Sequence, residues 1–172
     1  DWGVHLINIM IWGMTPSPQR EGKWVHPKTV SSTGGILVLD DNRETPDTQV
    51  AVYEFPHYTM IWGHKAGANN GPYNKDWAIL FSGSEGTLIL SSQGWEVIPE
   101  RKSEKLDPLK EPYGGDERLP HVRNFLDCMK TRDQPVENLE VGHFVSSVAH
   151  LGNIAYRTGR KITWDGENEK IV

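Results

Sequence analysis

The chain has 172 residues, 37% hydrophobic and 24% charged, with a formal net charge of −5. That length supports a genuine core burying roughly 70% of the unfolded surface, and the composition is globular rather than disordered. The acidic balance argues against nucleic acid as a partner, and no apolar run reaches the ~20 residues of a membrane span.

The first fourteen residues, Asp1 to Met14, read as a helix that is apolar almost all round, so burial is expected. Its polar side chains are Asp1, His5 and Asn8, at i, i+4 and i+7, one file on one face. A carboxylate one turn before an imidazole can fix its tautomer and leave the other ring nitrogen free as a base. The plain alternative is a capping Asp and a satisfied core histidine. Thr15-Pro16-Ser17-Pro18 stops the helix.

Lys28 to Thr33 reads as a strand closed by Gly34-Gly35. The charged stretch Asp40 to Asp47 follows; it could bind a cation, but a solvated loop is the simpler reading. Gln49–Phe55 and Tyr58–His64 alternate and face each other across Pro56-His57 as a hairpin. Strands follow at Trp77–Phe81, Thr87–Ser91 and Trp95–Pro99, linked by short Gly-containing turns, so an antiparallel meander is expected. Residues 100–118 read as a surface loop. Helices are expected at about Pro120–Arg132 and Glu140–Gly159, then a short strand, Lys161–Trp164, and a charged tail. The order predicts an α+β fold: an open, mostly antiparallel sheet with helices packed on one face, forming a single domain over 1–172. Apolar residues at both parities of Trp77–Phe81 suggest an oligomer interface across the sheet.

Other chemistry is thin. The single cysteine, Cys128, excludes an intrachain disulfide and any CxxC site, and its place on an apolar helix stripe suggests a buried structural thiol. His143 and His150 are about 10.5 Å apart along a helix, too far to share a metal, and no metal site is expected. His64 could reach a pocket, though an exposed strand-end histidine is the simpler reading. His57 is at odd spacing from His64 across the same strand, which sends the two to opposite faces, and His26 and His121 have no evident partner in the sequence. Seven tryptophans could be core, sugar platforms or interface. Gly83-Ser84-Glu85-Gly86 lies between strands, a turn rather than a phosphate cradle, and the G-x-G-x-x-G fingerprint is absent.

Five segments resemble, in order, the C-terminal domain of the Gfo/Idh/MocA oxidoreductases. They are Asp1-x-x-x-His5 within DWGVHLIN, Glu44-Thr45-Pro46-Asp47 with Tyr53-Glu54-Phe55, Gly83 to Leu88, His121 to Cys128, and Leu151 to Lys161. The second of these matches a bacterial subgroup. The resemblance implies a parent enzyme whose NAD(P)-binding Rossmann domain lies outside this chain, with the first helix truncated at its start. It implies hydride transfer between NAD or NADP and a sugar or cyclic polyol, and a homo-oligomer formed through the open sheet face. His5 would be the general base, Asp1 would orient it, and Asn8, where the family motif has a second Asp, would bind substrate. No cofactor is expected on this chain alone. The compartment would be the bacterial cytoplasm, or the periplasm if the parent carries an export signal. Alternatives are an NAD-dependent glycosidase of the same fold, or a non-catalytic carbohydrate-binding or assembly domain.

Overall fold

A computed structural model describes residues 2–15, 24–68, 70–102, 104–116 and 118–172. Asp1 and the Pro16–Pro18 helix stop lie outside these. Among the described residues, three α-helices, one 3-10 turn and two open antiparallel sheets give an α+β fold, as expected. The chain gathers into two compact units, residues 1–67 with 137–172, and residues 68–136.

In the first unit, α1 (Trp2–Met14) is followed by β1 (Thr29–Gly35), β2 (Thr48–Glu54) and β3 (Thr59–Lys65). The chain returns with α3 (Leu139–Thr158), β8 (Ile162–Asp165) and β9 (Lys170–Ile171). The sheet order is β3-β2-β1-β8-β9. The hairpin is in the expected place, with Glu54 opposite Thr59 and the Phe55 N–H donating to the Tyr58 carbonyl. The charged tail holds β9, which the sequence reading missed because two residues carry no visible period.

Alternation along the strands sorts the two faces of this sheet. Val30, Ala51, Tyr53 and Met60 are buried beneath the helices, whereas Ser31, Thr33, Val50 and Ile61 stand exposed on the opposite face. α3 supplies the cover with Val141, Phe144, Val145, Val148, Leu151 and Ala155; its sequence period marks Phe144, Val145, Val148, Leu151, Ile154 and Ala155, of which Ile154 is only half-buried. Each such side chain contributes about 1.5–3 kcal/mol by leaving water. α3 begins at an Asn138 cap whose Oδ1 accepts the Val141 N–H and ends at Gly159, in the left-handed region at φ 63°. The Asn138→Ala variant loses about 1 kcal/mol of stability, read as an earlier urea midpoint at unchanged slope.

Gly152 lets α3 sit close to the sheet. A Cβ there would come within 2.2 Å of the Tyr53 hydroxyl. Burial raises the pKa of that hydroxyl, and a hydrogen bond with the Gly152 backbone partly offsets the rise. Beside it, the buried Gln49 donates from Nε2 to Ser32 Oγ at 2.9 Å and toward the Gly152 carbonyl at 3.4 Å.

In the second unit, β4 (Ala78–Ser82), β5 (Gly86–Ser91) and β6 (Gly94–Pro99) form the meander, and β7 (Leu109–Glu111) adds a fourth strand inside the stretch expected to be loop. The expected run of consecutive strands therefore divides between two sheets after β3. α2 (Arg118–Thr131) forms where its period predicts, but Val122, Phe125, Leu126 and Met129 are all exposed, and Cys128 is half-buried rather than buried. The stripe was legible; its cover among the described residues was not.

Candidate functional site

α1 is less buried than its composition suggests. Ile7, Met10 and Ile11 face the core, while Trp2 is 57% exposed and Ile9 and Met14 are also exposed. The helix lies along α3: a Cβ on Gly3 would rest 3.8 Å from the Ala149 Cβ. At its other end Trp12 meets the Trp24 ring, which stacks on Phe144 of α3 at 5.7 Å. His26 packs its edge on the same phenyl ring and accepts from the Trp164 indole N–H at 3.4 Å; burial lowers its pKa. Three of the seven tryptophans thus serve packing around the start of α3.

Of the four sequence-predicted site residues, three lie in the described part of the structure. His5 is exposed, and among the described residues its ring has the Trp2 edge beside it, 6.3 Å between centroids at 69°. Asn8, three residues on, turns inward; its Oδ1 is buried and has no hydrogen-bond partner among the described residues. An unpaired buried amide oxygen costs about 1–3 kcal/mol, and this one lies one helical turn from the exposed His5. Asp1 lies outside the described residues.

His64 is placed differently. Trp62 donates its indole N–H to His64 Nδ1 at 3.2 Å, and His64 Nε2 lies 3.0 Å from the Pro46 carbonyl. The first bond makes Nδ1 an acceptor, so the proton sits on Nε2 and is donated to the carbonyl. Both nitrogens are therefore engaged, Nδ1 within β3 and Nε2 tying that strand to the loop before β2. His64 and Asn8 share no hydrogen bond.

The remaining histidines and acids form no metal centre: among the described residues no group of three or more His, Cys, Asp or Glu side chains could hold one. His143 pairs with Glu169 at 2.7 Å on the surface, tying α3 to the β8–β9 hairpin. Asp41 pairs with Arg43 at 2.7 Å, which lowers the carboxyl pKa.

Asp47 corrects the reading of its stretch as solvated. Its side chain is fully buried and accepts from the N–H groups of Leu37, Val38 and Leu39 at 2.8–3.1 Å and from the Thr48 hydroxyl at 2.8 Å. Those bonds hold its carboxyl well below the usual carboxylate range. In the sequence, only its place directly before β2 set it apart from its acidic neighbours.

No protein-family model matches the chain, and no curated protein matches it. Solved structures do share its fold. An NAD-binding protein from Listeria innocua aligns over 95% of this chain and 50% of its own, at 18% identity and a TM-score of 0.63. The WlbA dehydrogenase from Bordetella pertussis, solved with NADH and UDP-GlcNAcA, aligns over 96% of this chain and 45% of its own, at 16% identity and a TM-score of 0.64. UDP-N-acetylglucosamine 3-dehydrogenase GnnA from Acidithiobacillus ferrooxidans aligns over 92% and 46%, at 12% identity and a TM-score of 0.61. The chain has the fold of about half of each of these proteins.

Proposed function

We propose that this chain is the substrate-binding and oligomerisation half of an NAD- or NADP-dependent oxidoreductase acting on a sugar, of the Gfo/Idh/MocA type. The observation that carries the reading is the exposed His5 imidazole on an otherwise apolar helix, with the unpaired acceptor of Asn8 one turn on. The fold shared with half of several dehydrogenases supports it, and two of those were solved or named with UDP-sugars. A sugar nucleotide is accordingly the first substrate class to try, ahead of free sugars and cyclic polyols.

The described strands pair only antiparallel, whereas a dinucleotide fold rests on parallel strands flanked by helices. In this reading the dinucleotide is held mainly by the parent's other half. In the full-length parent a nicotinamide, when bound, would supply the hydride acceptor. This chain's part is to take the proton. His5 accepts it from the substrate hydroxyl as the carbon bearing that hydroxyl loses hydride, so alcohol becomes ketone with charge balanced. Asp1 would hold the imidazole tautomer, and Asn8 Oδ1 would accept from a neighbouring sugar hydroxyl and fix the ring's orientation.

The sequence suggested an oligomer interface across Trp77–Phe81, which falls in the second sheet, largely in β4, with Ile79 buried and Leu80 exposed; in the present reading assembly uses, in the first sheet, the open face of β1–β3. Its centre carries Ser31, Thr33, Val50 and Ile61 and no charge, a composition suited to burial against another protein surface.

The test is to incubate the full-length protein with NAD or NADP and a panel of UDP-sugars, free sugars and polyols, recording both reduced nicotinamide and released sugar. Reduced nicotinamide in step with substrate loss is expected. Release of free sugar from a glycoside with no net reduction would establish a glycosidase instead.

A further inference from the structure

Of the seven tryptophans, six are half-buried and Trp2 alone is exposed. Trp12, Trp24 and Trp164 pack around the start of α3, and Trp62 donates to His64. Trp77 and Trp95 lie beside β4 and within β6. Trp2 is placed otherwise. Ile7, Met10 and Ile11 take α1 into the core, and the stripe left open carries Trp2, His5 and Ile9, at i, i+3 and i+7. The candidate base thus has an open indole one turn before it and an open aliphatic chain one turn after. The Trp2 and His5 rings stand edge to face, with 6.3 Å between centroids and 69° between planes. Contact by an edge leaves the indole faces uncovered.

The chemistry of this stripe narrows its occupant. α1 has no Asp, Glu, Lys or Arg from Trp2 to Met14, so it offers no cation to the phosphates of a nucleotide. What it offers is a flat apolar face beside an imidazole. A hydroxyl that gives its proton to His5 must lie about 2.6–3.2 Å from the ring nitrogen, which brings the carbon skeleton bearing it within reach of the indole. A pyranose with equatorial hydroxyls directs its C–H bonds above and below the ring. Those weakly positive hydrogens suit the negative face of an indole. An acyclic polyol has no such face and must also give up chain freedom to lie flat.

We propose that Trp2 is a substrate-positioning and specificity residue: its indole is the platform for the C–H face of a pyranose ring and presents a ring hydroxyl to His5, so the site prefers pyranoses to acyclic polyols. It rests on reading His5 as the general base. Stacking of this kind is made equally in the bound substrate and in the transition state, so it acts on KM and leaves kcat nearly unchanged. The two neighbours on the helix therefore divide the work, Trp2 holding the ring and His5 taking the proton.

Steady-state kinetics of the full-length protein with Trp2→Leu and Trp2→Phe tests this, using UDP-sugars and free pyranoses beside acyclic alditols, with circular dichroism to check the fold. Wild type is expected to favour pyranoses. Trp2→Leu should raise KM for the pyranose about tenfold, with the preference over alditols reduced by the same factor. Its kcat and its KM for NAD or NADP should stay within a few-fold, and Trp2→Phe, which keeps an aromatic face, should recover most of the loss. An unchanged pyranose KM in Trp2→Leu, or an equal loss in Trp2→Phe, overturns the platform; if His5→Ala still abolishes turnover, the functional reading stands without it. A rise confined to the KM for NAD or NADP assigns the indole to the cofactor and also overturns it. Unfolding of Trp2→Leu makes Trp2 a packing residue, with the same consequence. No turnover of any pyranose or alditol by wild type overturns the functional reading and the platform together.

Discussion

The His5→Ala variant of the full-length protein is expected to lose about 10²–10⁴-fold in kcat, while KM for the sugar moves only a few-fold. The expectation follows from where the side chain stands. An imidazole with a purely structural role would have both nitrogens engaged, as the half-buried His64 does with Trp62 and Pro46. His5 is exposed, with the Trp2 edge beside it. Its removal therefore leaves packing almost intact, and the thermal midpoint should stay within a degree or two, as for most surface substitutions. Loss of turnover at unchanged stability separates a base from a structural residue. The His64→Ala variant should do the reverse, with lower stability and kcat changed only as far as folding allows. Equal kcat in wild type and His5→Ala would remove His5 from the chemistry.

The second large effect is structural. The Gly152→Ala variant is expected to destabilise the protein by about 1–3 kcal/mol, because its Cβ would come within 2.2 Å of a hydroxyl in the fully buried core. Tyr53 cannot swing away, since it lies in β2 beneath α3, and either the helix or the ring must shift. The cost should shrink in a Tyr53→Phe background, where the hydroxyl is gone; the two residues touch, so their effects are not additive. Urea unfolding of the four proteins in this cycle measures the coupling. A Gly152→Ala cost unchanged by Tyr53→Phe would mean that close helix–sheet approach is not what this glycine provides.

Asp47 adds a dependence on pH. Its folded pKa lies below the unfolded value, so its contribution is fully present above about pH 4 and is lost as pH falls below that toward the folded value. The Asp47→Asn variant should therefore be less stable than wild type at neutral pH, with the difference narrowing in acid. A constant difference across that range would contradict a stabilising role for its main-chain hydrogen bonds.

Much of the architecture was legible because it rests on period. The alternation of Gln49–Phe55 and Tyr58–His64 placed a hairpin where one stands, and the period of α3 picked out five of its buried side chains, Phe144, Val145, Val148, Leu151 and Ala155. Gly159 marked the helix end because only a left-handed residue fits there without strain. What period cannot carry was missed. β7 and β9 are three and two residues long, too short to show alternation, and exist through pairing with β6 and β8. The division into two sheets depends on which strands meet after β3, a matter of long-range packing. At the site, the file of His5 and Asn8 was readable from spacing alone, but which of them faces solvent was not. Asp47 was read as one solvated acid among four because its partners are main-chain N–H groups eight to ten residues earlier, and those leave no mark in sequence.

The central claim, that this chain positions a sugar alcohol for hydride loss with His5 as base, is tested most directly by following the hydrogen itself. The measurement uses the full-length protein and the substrate that turns over, deuterated at the carbon to be oxidised, with reduced nicotinamide analysed by mass spectrometry. The account predicts that the deuterium appears on the nicotinamide, and that its transfer is slowed in His5→Ala. Deuterium retained in a sugar product, or lost to water with no label on the nicotinamide, would contradict it.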